Sequence, residues 1–174
     1  MATRFARLTP EEFPDRIGAL AAVLADVVAH GASVGFRDPF GPDDAAAWWR
    51  TREAAVRDGT LQVWVAFVQE AVVGTVSVSV ESKPNGRHRA EVLKLMVHSG
   101  ARGRGLGRAL LTAAERAAAE AGATLLLLDT ATGSPAERLY ATAGWTRYGI
   151  VPRYATDPAG ALEDCSFFYK ELTR

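Results

Sequence analysis

Apolar side chains recur along this chain in two rhythms, one of about 3.6 residues and one of two, and the switches between them outline its elements. Residues 3–8 read as a short strand ended by Pro10. Ile17, Leu20, Ala21, Leu24, Val27 and Val28 then stripe one face of a helix predicted from Pro10 to about His30. GASVGF, residues 31–36, interrupts that rhythm as a turn. Asp43 and Asp44 suit a helix start and open a second helix, which carries Trp48 and Trp49 and ends near Gly59.

Leu61–Val68 alternates as a strand does and meets Val72–Val80 across Gln69-Glu70-Ala71, a predicted hairpin. Lys83-Pro84-Asn85-Gly86 is a turn signal ahead of a strand at Arg89–Val97, whose apolar residues occupy both pleat faces as in a covered central strand. Leu106, Ala109, Leu110, Ala113, Ala117 and Ala121 stripe a further helix, closed by Gly122. Leu125–Leu128 reads as a fully buried strand ending at Asp129. Ser134 and Pro135 supply an N-cap and a first-turn proline for a helix that Gly144 stops. Trp145–Val151 and Cys165–Leu172 form two closing strands, joined by a loop that contains Asp157. The order β-α-α-β-β-β-α-β-α-β-β predicts an α/β fold: a mixed, centrally parallel sheet of about seven strands with helices on both faces.

Composition narrows the possibilities. A chain of 174 residues without a linker-like stretch or internal repeat reads as one domain, 1–174, able to bury a sizeable core. Its formal net charge of zero gives no electrostatic case for a nucleic-acid or anionic-membrane partner. No apolar run approaches the ~18 residues of a membrane span, and charges interrupt the first dozen positions, so a cytoplasmic protein is expected. The single cysteine, Cys165, excludes an internal disulfide and reads as a buried strand thiol rather than a nucleophile. His30, His88 and His98 pair with no ligand at metal spacing, so no metal is expected.

The chemistry concentrates in RGRGLG, Arg102–Gly107, where a strand gives way to a helix. A glycine-rich turn at a helix start aims several unpaired N–H groups one way. The helix dipole and the Arg102, Arg104 and Arg108 charges add to the pull on an anion such as pyrophosphate. Glycines at 103, 105 and 107 do not have the dinucleotide spacing, and no lysine follows them as an ATP or GTP loop requires. What remains is R-x-x-G-x-G, carried by Arg102, Gly105 and Gly107.

With the strand before it, the helix after it and the element order, this motif resembles the acyl-CoA pyrophosphate motif of the GNAT N-acetyltransferase superfamily. GASVGF, KPNG (83–86), RAEVLKLMV (89–97), SGARGRGLGR (99–108), LLDT (127–130) and FYKEL (168–172) are similar to the tabtoxin-resistance acetyltransferases, which acetylate the amine of a β-lactam amino-acid toxin. The resemblance implies acetyl-CoA as co-substrate. It implies that the backbone of Leu95, Met96 and Val97 meets the pantetheine amides, and that Arg102, Gly103, Arg104, Gly105, Leu106, Gly107 and Arg108 surround the diphosphate.

Acetylating an amine needs a base, because an amine of pKa ~10.4 is protonated near neutrality. Glu91 and Asp129, on neighbouring strands and flanked by apolar residues, are the candidates, desolvation raising their pKa. The other readings are a salt bridge from Glu91 to Arg87 or Arg89, and a turn-capping role for Asp129. Tyr140 reads either as a core tyrosine or, from the resemblance, as the acid beside the coenzyme sulfur. Trp48 and Trp64 read as core. Ser33, Phe36, Arg153 and Tyr154 lie on segments that border the acceptor in the superfamily, with Arg153 a candidate for an acceptor carboxylate. The expected activity is acetyl transfer to a small amino-acid-like amine of toxin or antibiotic type, by direct attack in a ternary complex, from a monomer or homodimer. Acetylation of a protein or peptide, and a non-catalytic acyl-CoA-sensing module, are the competing readings.

Overall fold

The computed structural model describes residues 3–172. In chain order they form β1 (Thr3–Arg7), α1 (Phe13–Ala29), α2 (Pro42–Arg50), α3 (Glu53–Arg57), β2 (Leu61–Val68), β3 (Ala71–Val80) and β4 (Arg89–Val97). Then follow α4 (Leu106–Glu120), β5 (Leu125–Ala131), α5 (Pro135–Thr142), β6 (Thr146–Thr156) and β7 (Leu162–Glu171). The seven strands make one sheet in the order β1-β2-β3-β4-β5-β7-β6, antiparallel everywhere except between β4 and β5. The sheet is mixed as predicted, but its parallel centre is this one pair.

Several boundaries depart from the predicted ones. The first helix starts at Phe13 because Thr9 and Glu12 close a reciprocal turn: Thr9 N–H donates to Glu12 Oε2 (3.0 Å), and Glu12 N–H donates to Thr9 Oγ1 (3.2 Å). The predicted 43–59 helix is two helices. Thr51 Oγ1 donates to Trp48 O (2.6 Å), a local bond that competes with the helical ladder, and the chain turns before Glu53. β5 runs on to Ala131, so Asp129 lies within the strand rather than at its end, and Leu125 and Leu127 are half-buried rather than fully so. β6 and β7 are longer than predicted, which places Arg153 and Tyr154 in β6.

α4 buries Leu106, Leu110, Leu111, Ala114, Ala117 and Ala118, whereas Ala109 and Ala113 of the predicted stripe are half-buried and Ala121 is exposed. Burying a leucine is worth about 1.5–3 kcal/mol, well above an alanine, so Leu110 and Leu111 set the rotation of the helix.

Register assigns the two faces. Leu61, Ser79, Glu91 and Leu127 stand side by side across β2–β5, and Val63, Ser77 and Leu93 form the next row on the same face. That face packs under α1–α3, where Leu20, Leu24 and Trp49 are fully buried with Val63 and Val65. The opposite face carries Val78, Val92, Leu126 and Leu128 against Leu110, Leu111 and Ala114 of α4 and Tyr140 of α5. Two layers of helix therefore enclose one sheet, as the sequence pattern predicts.

Candidate active site

The central pair of strands comes apart. β4 and β5 pair only through Arg89–Leu125, Ala90–Leu126 and Glu91–Leu127. Beyond that rung β4 stays with β3 as far as Val97, while β5 stays with β7 as far as Ala131. Leu95, Met96 and Val97 thus present a strand edge with no β5 partner, as a chain of amides lying in the cleft would require. Leu95 and Val97 pack toward α4, and Met96, 3% exposed, toward α1.

The RGRGLG turn lies where β4 meets α4. Gly103 and Gly105 have φ of +76° and +75°, the left-handed region that glycine enters freely, and Gly105 is the residue that caps α4. A Cβ at either position would meet nothing within 4 Å, so the turn faces open space. The first intrahelical bond runs from Ala109 N–H to Gly105 O (3.1 Å), and the amides before it have no intrahelical acceptor. Such a terminus, bordered by arginines, fits a diphosphate.

The three arginines differ. Arg102 Nε donates to Val97 O (3.2 Å), tying the turn to the end of β4, and Arg104 makes no hydrogen bond or ion pair among the described residues. Arg108 donates to Thr142 O (3.3 Å) and Thr142 Oγ1 (2.6 Å), so its guanidinium caps α5.

Asp26, near the end of α1, braces this junction, a role with no local signal in the sequence. Its carboxylate accepts from Ser99 N–H and Ser99 Oγ, both at 2.7 Å, with His30 Nδ1 and His98 Nε2 at 3.4 and 3.5 Å. Burial works to raise its pKa, but the Ser99 bonds and the two histidines outweigh burial and hold it below the ordinary value.

Glu91 and Asp129 share the face under α1–α3, Asp129 lying two residues past Leu127, the partner of Glu91. Neither alternative reading of Glu91 applies, since Arg89 pairs with Glu81 instead (3.0 Å) and Arg87 forms no ion pair among the described residues. Both carboxylate residues are exposed at the surface; partial desolvation of Glu91 and the negative charge of Asp129 still raise the Glu91 pKa, against an opposing pull from Lys94. Asp129 accepts from the Cys165 thiol, Sγ to Oδ2, at 3.2 Å. Burial and Asp129 push that thiol up to about 12, which leaves it protonated and a poor nucleophile, as expected of a buried strand cysteine.

Tyr140 packs on the other face of the sheet. It is 5% exposed, with its ring 6.0 Å from those of Trp145 and Phe168, and burial and Asp129 raise its pKa. The core reading therefore holds for the ring, while the hydroxyl feels the charge of Asp129.

The 31–41 loop is fastened to the β6–β7 end. Ser33 Oγ donates to Thr156 O (3.2 Å) and Asp38 N–H to Pro158 O (2.9 Å). Phe36 stacks on Phe40 (4.4 Å) and meets the edge of Trp48 (5.5 Å). Trp48 is half-buried and lines a cavity, so its core reading holds only in part, and the fully buried tryptophan is its neighbour Trp49. Arg153 and Tyr154 are exposed on β6. Arg153 has φ of +52° at a bulge, its N–H donating to Asp164 Oδ1 (2.9 Å), and Tyr154 packs edge-on to Phe167 (5.2 Å).

Lys94 was missed by sequence reasoning. Its ammonium lies 5.6 Å from the Phe36 ring centre and 5.3 Å from that of Trp48. Burial lowers its pKa, with Arg52 acting in the same direction and Asp129 and Glu91 against. A signal was present: Lys94 has the parity of the buried Ala90 and Val92, and a lone cation on a buried parity marks a bulge or a function. Among the described residues no cluster of three or more His, Cys, Asp or Glu side chains could hold a metal ion.

A split sheet with an anion-accepting turn at one end and carboxylates on one face suits a group-transfer domain whose cofactor is long and phosphate-bearing. Comparison with known proteins identifies which. The acetyltransferase (GNAT) family model matches residues 29–145, and the chain belongs to that family. An N-acetyltransferase structure from Staphylococcus aureus Mu50 superposes with a TM-score of 0.80 at 18% identity, covering 99% of this chain and 100% of that one. The Salmonella typhimurium protein yncA, solved with its cofactor acetyl-CoA, gives 0.77 at 21% identity over 100% of this chain and 96% of its own. A ribosomal-protein-alanine N-acetyltransferase from Brucella melitensis gives 0.75 at 27%, covering 99% and 100%. N-acetyltransferase 8B of Rattus norvegicus is 39% identical over 70 residues, 40% of this chain, and the match spans 32% of that relative's length.

Proposed function

We propose that this protein transfers the acetyl group of acetyl-CoA to the amine of a small, amino-acid-like acceptor by direct attack in a ternary complex. Acetyl-CoA supplies an activated thioester, so that a new C–N bond forms to the acceptor as the C–S bond breaks and the coenzyme leaves as its thiolate, which then takes a proton from water. The observation that carries this reading is the separation of β4 from β5 after the Glu91–Leu127 rung, with carboxylates on one face of the sheet and a tyrosine packed on the other.

Glu91 and Asp129 act as base or base relay, taking the proton that the acceptor ammonium must lose, through water. The raised pKa of Glu91 makes it the better acceptor of that proton. Tyr140, its pKa raised, keeps its proton and stabilises the leaving sulfur by donating a hydrogen bond, since handing the proton over to a thiolate of conjugate-acid pKa ~8.5 would be uphill. Leu95, Met96 and Val97 offer backbone groups to the amides of the coenzyme arm. The amides of Gly103 to Gly107, with Arg102 and Arg104, bind its diphosphate; Ser33 and Phe36 border the acceptor. Cys165, held by Asp129, carries no acyl group.

The loop 31–41, fastened to the β6–β7 end, supports a small acceptor over an extended one. The sequence resemblance to the tabtoxin-resistance enzymes supports an amino-acid-type toxin or antibiotic. The likeness to the Brucella protein favours a second reading, acetylation of a protein N-terminus. Thiol release from acetyl-CoA, measured with free amino acids, simple amines and short peptides, separates them. Turnover with amino acids that falls on the order of 10²-fold in Tyr140→Phe supports the proposal. Turnover with peptides alone supports the second reading. Thermal stabilisation by acetyl-CoA without turnover on any amine identifies a sensor.

A further inference from the structure

The cavity beside the carboxylates carries the opposite charge. It measures about 260 Å³, and Trp48, Arg52, Ser77, Ser79, Leu93 and Lys94 are among the residues lining it; two are cations, and none of the described lining residues is acidic. Its size falls just below the ~300–1,000 Å³ of pockets for drug-sized ligands, which suits a small metabolite.

Three features mark it as built to receive an anion. In an unbroken strand Leu93 and Lys94 would point to opposite faces. Here Lys94 has φ of +52° where the β3–β4 register shifts, and both residues line the cavity. Lysine enters that backbone region at an energetic cost, so a strained bulge is used to bring a cation to this side of the sheet.

Ser77 is the second feature. It is 2% exposed, and its hydroxyl has no hydrogen-bond partner although it lines the cavity. A buried hydroxyl left unpaired is unfavourable, and a ligand oxygen would satisfy it. Third, neither Lys94 nor Arg52 forms an ion pair among the described residues. Both rest on aromatic rings, with Arg52 lying 5.2 Å from the Trp48 ring centre.

Ser79 joins this cavity to Glu91. It is the cross-strand partner of Glu91 and lines both the cationic cavity and the adjoining one that contains Glu91. In that second cavity Arg89 is paired with Glu81, which leaves Glu91 as its one acid without a cationic partner among the described residues, so a cationic cavity and an unpaired carboxylate are neighbours, an arrangement complementary to a zwitterion.

We propose that Lys94 and Arg52, with the Ser77 and Ser79 hydroxyls, bind the carboxylate of the acceptor while its ammonium faces Glu91 and Asp129, so that the acceptor is a free α-amino acid or a close analogue. This rests on the acetyl-transfer reading above and assigns to it the groups that select the substrate. The Arg153 guanidinium, exposed on β6, is replaced in that role.

The test pairs the common L-amino acids with their carboxamides, which keep the amine and lose the negative charge. Acetyl-CoA turnover is measured together with the NMR signal of the Lys94 methylene beside its nitrogen, in full-length protein labelled at its three lysines. The expected result is an acceptor KM about tenfold to a hundredfold higher for the amides, and a Lys94 signal that moves only with the acids. Lys94→Met should erase that discrimination with the KM for acetyl-CoA unchanged, and Lys94→Arg should retain part of it. Should Lys94→Met fail to fold, Arg52→Gln and the wild-type NMR titration give the same answer. Amides accepted as readily as acids, or a Lys94 signal indifferent to saturating amino acid, would overturn the proposal while leaving acetyl transfer standing. A Lys94 signal that responds to the acids without any turnover would keep the anion site and remove the transferase reading.

Discussion

Cys165 donates its thiol hydrogen to Asp129 across 3.2 Å, so the single cysteine of the chain is engaged with a carboxylate. With its pKa pushed up to about 12, little thiolate exists near neutrality. Cys165→Ala should keep kcat within about tenfold of wild type, the scale of one lost hydrogen bond to a charged group. Mass spectrometry during turnover should find no acetylated enzyme, and iodoacetamide should label Cys165 far faster in denaturant than in the native protein. An acetyl group trapped on this residue would replace direct attack with a covalent route.

Glu91 sets a pH dependence whose sign follows from its raised pKa. The folded chain holds a proton on Glu91 over a range where the unfolded chain has lost it. The resulting stability is therefore present below the ordinary carboxylate value and lost as pH rises through the raised one. Glu91→Gln should accordingly melt at a higher temperature than wild type at about pH 8, with the gap closing toward about pH 4. Its kcat/KM should fall on the order of 10²-fold, and wild-type activity should climb with pH as this carboxyl ionises. A variant equally active and no more stable would remove Glu91 from the mechanism.

Gly105 and Arg108 lie three residues apart and should fail differently. Alanine at Gly105 meets no steric contact but must hold φ of +75°, a strain of roughly 1–2 kcal/mol. The KM for acetyl-CoA should rise about tenfold while the acceptor KM stays put. Arg108→Met loses two bonds to Thr142 and should lower stability by about 1 kcal/mol, with a smaller effect on that KM. The reverse pattern would return Arg108 to the diphosphate.

Asp26 should couple stability to the shape of the phosphate turn. Because Ser99 and the histidines hold its pKa below the ordinary value, its contribution is full above the normal carboxylate range and disappears as pH falls through the lowered one. Asp26→Ala should cost about 1.5–3 kcal/mol near neutrality, a deficit that shrinks in acid, and should weaken acetyl-CoA binding through the loosened Ser99–Ala101 turn. Denaturant melts at several pH values would test this, and a constant deficit would contradict the ionic account.

The sequence disclosed what depends on neighbours along the chain. Gly103 and Gly105 occupy the left-handed states that a phosphate turn needs, Ser134 caps its helix by accepting from Glu137 N–H (3.2 Å), and β4 has the predicted ends. What stayed hidden arises between distant segments. The Asp26–Ser99 contact joins residues 73 apart, and no local periodicity encodes it. The Lys94 bulge was obscured because its energetic return lies in a pocket assembled from β3, β4 and α2. Arg153 and Tyr154 looked like loop residues because β6 alternates too weakly, exposed on nearly every position, to register as a strand.

The partition of side chains by the sheet has an evolutionary corollary. The groups proposed for the coenzyme lie mostly at the end of β4, in the turn before α4 and on α5, whereas those proposed for the acceptor lie mostly on the α1–α3 side of the sheet and in the 31–41 loop. A lineage could therefore exchange one molecular customer for another by altering Trp48, Arg52 or the 31–41 loop, while the machinery that supplies the acyl donor is inherited intact.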